Sequence, residues 1–189
     1  YEIADGDGVQ TCALPISVTV GITGKYVSLR DSYASIIKAL EHAGVANDVK
    51  VSIKWIDTTN LSAATAPEAL KEVDAVIVPG GFGVRGTTGK IECIRHVREN
   101  RIPYLGICLG FQMAVVEYAR NVRGLEGAGS TEIDPECAAP VISILPEQKL
   151  IEKLGGNMRL GGQDVRLTPG SLAAELFDVV LHAPARSFP

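Results

Sequence analysis

Residues 103–120 read PYLGICLGFQMAVVEYAR, with Cys108 set between Gly106 and Gly110. The apolar run 103–107 predicts a short strand, and residues 109–120 predict a helix that follows it directly. Glycines on both flanks permit a sharp turn, the same physical arrangement as a nucleophile elbow with serine in the middle. Such a turn lifts the thiol out of the sheet and leaves it at a helix start, where unpaired N–H groups and the helix dipole favour thiolate over thiol. Cys108 is therefore the expected nucleophile. Cys93 falls on the apolar face of another helical stretch and is expected in the core, whereas Cys137 lies in an anticipated loop, 134–140, without any paired signal.

The same alternation of strand and helix recurs upstream. Residues 18–23, VTVGIT, are short and β-branched, and residues 33–43 form an amphipathic stretch with Ile36, Ile37 and Leu40 on one face and Gly44 as its expected end. Residues 49–56 alternate as a strand would, with Val51, Ile53 and Trp55 on one side, and 67–72 read as helix. The run Ala75-Val76-Ile77-Val78 is continuously apolar, as in a parallel strand covered on both faces. Residues 90–100 then predict a helix with Ile91, Ile94 and Val97 inward. Repeated βα units predict an α/β fold: a three-layer, doubly wound, mostly parallel sheet with right-handed crossovers and ligands beyond the carboxyl ends of its strands.

The loop after the 75–78 strand is glycine-rich: Pro79-Gly80-Gly81-Phe82-Gly83-Val84-Arg85-Gly86. Its Gly81-x-Gly83-x-x-Gly86 spacing imitates a dinucleotide fingerprint, but that motif belongs to the first βα turn and wants an acidic residue at the end of the next strand, where Cys108 stands instead. Gly89-Lys90 is not a phosphate-binding P-loop either, because Val84 replaces the required first glycine and Ile91 the hydroxyl. A glycine loop facing a cysteine elbow suggests an oxyanion hole, with one backbone N–H from Gly81 and another from Leu109. Acyl transfer is the implied chemistry.

Composition narrows the field further. A chain of 189 residues suits one ordinary domain and is long enough to bury roughly 70% of its unfolded surface. With 46% hydrophobic and 21% charged residues, it reads as a soluble globular protein, and no apolar run approaches the roughly 20 residues that span a bilayer. A cytoplasmic protein without membrane contact is expected. The net charge of −4 carries no basic stripe, so nucleic acid is not an expected partner. Four scattered cysteines without CxxC spacing argue against both a zinc site and a disulfide framework. Residues 1–17 are expected to be a non-native leader: GVQTCALPIS, 8–17, has no strand or helix period, lacks the pattern of a signal peptide, and resembles translated sequencing adapter. The folded part is then 18–189.

Five segments taken together, VGITGKYVSLRDSYASIIKAL, PGGFGVRG, PYLGICLGFQMAVVEYAR, GSTEID and LGGNMRLG, resemble the class I glutamine amidotransferase (glutaminase) domain of the CTP synthase family over about residues 18–175. The resemblance implies a flavodoxin-like fold, incomplete here at its C-terminus, that hydrolyses L-glutamine through a cysteine thioester. The ammonia would pass to a separate N-terminal synthase domain that makes CTP from UTP. ATP and magnesium belong to that absent domain, GTP is the family's activator, and the family forms homo-tetramers; no cofactor or metal is expected in this domain. Carried over to this chain, Cys108 is the nucleophile, Gly81 lies against the glutamine, Leu109, Gly110, Phe111 and Gln112 line its site, and Glu132 binds it.

The resemblance stops near residue 178. The family continues with an arginine- and histidine-rich strand of the form ERHRHRYE and, later, an HPE element that supplies base and orienting carboxylate, whereas residues 179–189 read VVLHAPARSFP. His182 has no carboxylate two residues on and is not expected to act as catalyst; His42 and His96 fall on helices. A truncated glutaminase half-site is the expectation, inactive by itself. The alternative is a class I glutaminase-like module that binds without turnover. A hydrolase on another doubly wound fold would need a histidine after the nucleophile and finds only His182.

Overall fold

The computed structural model describes residues 16–24, 30–81, 83–144 and 165–178. They divide into two compact units, with the boundary after Ser143. The expected leader lies outside the described residues apart from Ile16 and Ser17, and Ser17 already belongs to the first strand. His182 and the stretch 179–189 also lie outside them.

In the first unit the chain runs through β1 (Ser17–Gly24), a 3-10 turn (Arg30–Tyr33), α1 (Ala34–Ala46), β2 (Lys50–Asp57), α2 (Ala66–Ala69), β3 (Ala75–Val78), α3 (Thr87–Glu99), β4 (Tyr104–Gly106), α4 (Leu109–Asn121), β5 (Ala128–Ser130) and β6 (Ala139–Ile142). The main sheet has the order β2-β1-β3-β4, and every pair in it is parallel. The order reverses between β1 and β3, so the crossover helices lie on opposite faces. On one face Ile56, Val76 and Val78 join Leu70 of the α2 end, Ile91, Ile94 and Val97 of α3, and Leu109, Met113 and Val116 of α4 in a single core. On the other face α1 meets β2, where Gly44 comes so near that a β-carbon on it would stand 2.9 Å from the Val49 carbonyl oxygen and 3.1 Å from a Val51 methyl. Thus Gly44 does not end α1. It is the one buried residue of a helix that continues to Ala46 and is capped at Asn47.

Three other expectations need correction. The helix expected over 67–72 is one turn, because Leu70 leaves the helical region and Glu72 takes a positive φ of 61°. The helix expected from Lys90 begins at Thr87, with Gly86 in the left-handed region at its start. Pro140 was expected in a loop but belongs to β6, which pairs in parallel with β5 in a separate two-stranded sheet. Arg120 Nε ties α4 to that sheet by donating to the Ala128 carbonyl at 2.5 Å. In the second unit, α5 (Leu172–Asp178) is preceded by Ser171, whose hydroxyl accepts the Ala174 N–H at 3.1 Å, a capping bond.

Candidate active site

β4 ends at Gly106 and α4 begins at Leu109, leaving only Ile107 and Cys108 to reverse the chain. Ile107 N–H donates to the Val78 carbonyl at 3.0 Å, so the turn hangs from the end of the neighbouring strand β3. Cys108 pays for the sharpness with φ 52° and ψ −110°, a conformation that side-chain-bearing residues rarely adopt outside functional turns. Its flanks could not carry side chains. A β-carbon on Gly110 would stand 1.9 Å from the Val78 carbonyl oxygen, and one on Gly106 would stand 2.6 Å from the Tyr104 hydroxyl and 2.7 Å from the Phe111 nitrogen. The glycine–cysteine–glycine spacing is therefore steric, and it leaves the Cys108 side chain exposed at the head of a 13-residue helix.

The glycine-rich loop comes to the same place. A β-carbon on Gly80 would be 3.3 Å from Cys108 Cβ and 3.8 Å from its Sγ, so the loop backbone lies against the thiol. Neither the Gly81 nor the Leu109 N–H donates to a backbone carbonyl among the described residues. Gly81 follows the glycine that lies against the thiol and Leu109 follows the nucleophile, so both N–H groups, without a backbone acceptor among the described residues, are candidate donors to an oxyanion of the kind acyl transfer builds.

The other expected residues divide by element. The Leu109 side chain is buried in the core, so only its backbone can serve the site, while Phe111 is exposed. Gln112 is half-buried, and its Oε1 is buried without a hydrogen-bond partner among the described residues. Glu132 is exposed in the turn after β5, whose shape is set by the Ser130 hydroxyl accepting the Glu132 N–H at 3.3 Å. Hydrogen bonding does not join Glu132 to the elbow.

Thiol environments separate the cysteines. Cys93 is fully buried, and that burial pushes its thiol up to about 12. Cys137 is half-buried and packs its Cβ and Sγ against Gly129. His96 is placed by Asn100 in the second half of α3 and His42 is exposed on α1; neither is hydrogen-bonded to Cys108.

Two residues around the elbow escaped the sequence reading. The Tyr104 hydroxyl donates to the Gly110 carbonyl at 2.7 Å, strapping the first turn of α4 to β4, and burial raises its phenol above the ordinary value. Its signal was the strand period of two, which puts Tyr104 on the same face as the side-chain-free Gly106. Lys90 is buried in the first turn of α3 with its Nζ 3.9 Å from where a β-carbon on Gly81 would stand. A lysine at a helix start is at odds with the helix dipole, and that conflict was the available signal.

A family model described as glutamine amidotransferase class-I matches residues 28–179. The chain is 54% identical over 165 residues to the CTP synthase of Thermococcus kodakarensis, covering 87% of this chain and 31% of that protein. To the CTP synthase of Staphylococcus carnosus it is 53% identical over 160 residues, covering 85% of this chain and 30% of that protein. It thus spans less than a third of the length of these curated relatives. Among solved structures, the glutaminase domain of Trypanosoma brucei CTPS with bound acivicin aligns at a TM-score of 0.76 and 37% identity, over 85% of this chain and 62% of that one. Matched by that family model over most of its length, the chain belongs to the class-I glutamine amidotransferase family.

Proposed function

We propose that this chain carries the nucleophile half of a CTP synthase glutaminase. The observation that carries the reading is the strained, exposed Cys108 standing against Gly80 of the glycine-rich loop. The Cys108 thiolate attacks the side-chain amide carbon of L-glutamine, and the carbonyl oxygen becomes an oxyanion held by the Gly81 and Leu109 N–H groups. Collapse of this adduct breaks the C–N bond, releasing ammonia once a proton reaches the nitrogen, and leaves a thioester on Cys108. Water then attacks the thioester, giving glutamate and the free thiol. Gln112 and Glu132 bind the amino acid end of the substrate, and Gly110 and Phe111 line its approach.

The longer relatives are CTP synthases, and we assign the ammonia to amination of UTP to CTP, the use that the family resemblance implies. ATP and magnesium are then required by a synthase domain, with GTP as activator and a homo-tetramer as the assembly; no residue of this chain is assigned to them. A cytoplasmic site of action belongs to the same reading, and no described helix is long and apolar enough to cross a membrane.

Among the described residues, none is assigned the acid that this chemistry needs. Ammonia leaves poorly unless it is protonated, and loss of a general acid typically costs on the order of 10² to 10⁴ in rate. Ammonia release from glutamine by the 189-residue chain should therefore stay at background and should rise when the chain is joined to segments bearing the RHRHRYE and HPE elements. Robust hydrolysis by the 189 residues alone, abolished by Cys108→Ala, would show that a group within this chain supplies the acid.

A further inference from the structure

Cys108 holds a backbone conformation that has to be enforced. Its φ of 52° lies in the left-handed region although it carries a side chain, and such strain persists only where the surroundings over-determine it. Hydrogen bonds on both sides of the residue do so. The Ile107 N–H donates to the Val78 carbonyl at 3.0 Å, the Gly110 N–H closes the turn on the Ile107 carbonyl at 2.9 Å, and the Gln112 N–H reaches the Cys108 carbonyl at 3.1 Å. Those are backbone bonds, open to many sequences. Tyr104 adds one from a side chain, its hydroxyl donating to the Gly110 carbonyl at 2.7 Å. The phenol is built into the turn, because a β-carbon on Gly106 would stand 2.6 Å from its oxygen and 2.8 Å from the Gly110 carbonyl carbon, so the bond spans the space that Gly106 leaves empty. Stability alone does not call for that hydroxyl. The Gly110 carbonyl lies in the first turn of α4, where the helical ladder already brings it an N–H from four residues on, and a phenylalanine would fill the same half-buried place. Burial also raises the phenol above its ordinary value, so it remains a donor across the neutral range.

We infer that Tyr104 is a positioning residue for the nucleophile: its hydroxyl pins the first turn of α4 across the elbow, and so keeps the Cys108 thiol and the Leu109 N–H in register with the carbonyl group of an amide substrate. The inference rests on the glutaminase reading and deepens it. Without the hydroxyl the elbow can relax towards negative φ, which turns thiol and N–H out of register while leaving the thiol exposed. Relief of strain then offsets the lost bond, so stability should change little. A bond that served the fold alone would do the reverse, lowering the melting temperature by about 2–4 °C and leaving the chemistry of the thiol untouched.

That difference supplies the test. Rates of Cys108 modification are measured on the 189-residue chain with two electrophiles. One is a chloroketone analogue of glutamine: the thiolate sulfur bonds its chloromethyl carbon, chloride leaves, and the ketone oxygen takes the place of the substrate carbonyl oxygen. The other is iodoacetamide, which loses iodide to the same sulfur but has no amino acid end to hold it in register. In the unsubstituted chain the chloroketone should react preferentially. Tyr104→Phe keeps the ring and removes the hydroxyl; it should slow the chloroketone about tenfold or more, change the iodoacetamide rate by less than about twofold, and leave the melting temperature within about 2 °C. Tyr104→Met, which fills the space with a flexible apolar chain, should give the same split between the two reagents, and it decides if circular dichroism shows that Tyr104→Phe has lost its fold. If the folded variants react with both reagents as the unsubstituted chain does, if both reagents slow equally, or if neither variant folds, Tyr104 serves the fold and the inference is wrong while the nucleophile assignment stands. Absence of any chloroketone preference in the unsubstituted chain would instead overturn the glutaminase reading and this inference with it.

Discussion

At the scale of single residues, the site is defined by what its neighbours lack. Gly110 has no side chain because the Val78 carbonyl occupies the space, so Gly110→Ala must push α4 off the end of β3. Overpacking of this kind costs about 2 kcal/mol or more, and the urea midpoint should fall accordingly. An unchanged midpoint would mean that the elbow can relax and that the glycine is not steric. Among the described cysteines, Cys108 should be the first alkylated at neutral pH, because Cys93 is sealed in the core as a neutral thiol and Cys137 is half-covered. Peptide mapping that found Cys137 or Cys93 modified first would contradict this order. Burial of Cys93 also has a pH signature. Its folded value, about 12, lies above the ordinary roughly 8.5 of an unfolded cysteine, so its contribution to stability is complete below pH about 8.5 and is lost as pH rises towards 12. Cys93→Val removes the titrating group at similar volume, and its stability relative to the parent should improve across that alkaline window; a constant difference from pH 7 to 11 would refute the linkage.

At the scale of elements, the pattern of what was legible follows the strength of each local signal. β3, α3 and α4 were readable because long apolar periods and a strand-to-helix junction point the same way, and all three build the core beneath the site. Gly44 misled because glycine ends helices far more often than it allows one to pack closely on a strand, and only the tertiary contact with Val51 decides between them. β5 and β6 left almost no trace, since Ala-Gly-Ser has no β-branched residue and Ala-Pro-Val-Ile only a pair behind a proline; they form strands by pairing with each other beside α4. The same limit applies to the site. Cys108, Gly81 and Leu109 are announced by spacing, whereas Tyr104 meets Gly110, and Lys90 comes near Gly81, only once the chain has folded. The α3–α4 contact holds a further feature of this sort. Arg98 meets Glu117 through Nε at 3.0 and 3.1 Å and through NH2 at 2.8 Å, and Glu117, 1% exposed, also accepts from Asn121 at 3.1 Å. Arg98→Ala would leave that carboxylate buried with one neutral donor, a change that typically costs about 3 kcal/mol or more. Chemical denaturation would show it, and a loss below about 1 kcal/mol would mean that water reaches Glu117 and replaces the guanidinium.

At the scale of the whole first unit, the sheet places its chemistry and its weakness on neighbouring parts of the same strand. Val76 and Val78 bring β3 into a covered core, but β4, only three residues long, is an outer strand among the described residues. Tyr104 and Gly106 face the packed side with α4, so Leu105 and Ile107 point to the opposite side, where they are 53% and 40% exposed. α1 does not reach them, since its contacts are with β2 at the far edge of the sheet. An outer strand with apolar side chains on an open face readily pairs with another chain. The 189-residue chain should therefore self-associate as its concentration rises, with a light-scattering mass that climbs between micromolar and sub-millimolar samples. Leu105→Lys puts a charge on that face without touching the elbow hydrogen bonds of Ile107, Gly110 or Tyr104, so it should reduce association while leaving the rate of Cys108 alkylation unchanged. A monomeric mass at every concentration, or association that Leu105→Lys does not affect, would place the sticky surface elsewhere and separate the weakness of the fold from the strand that carries its nucleophile.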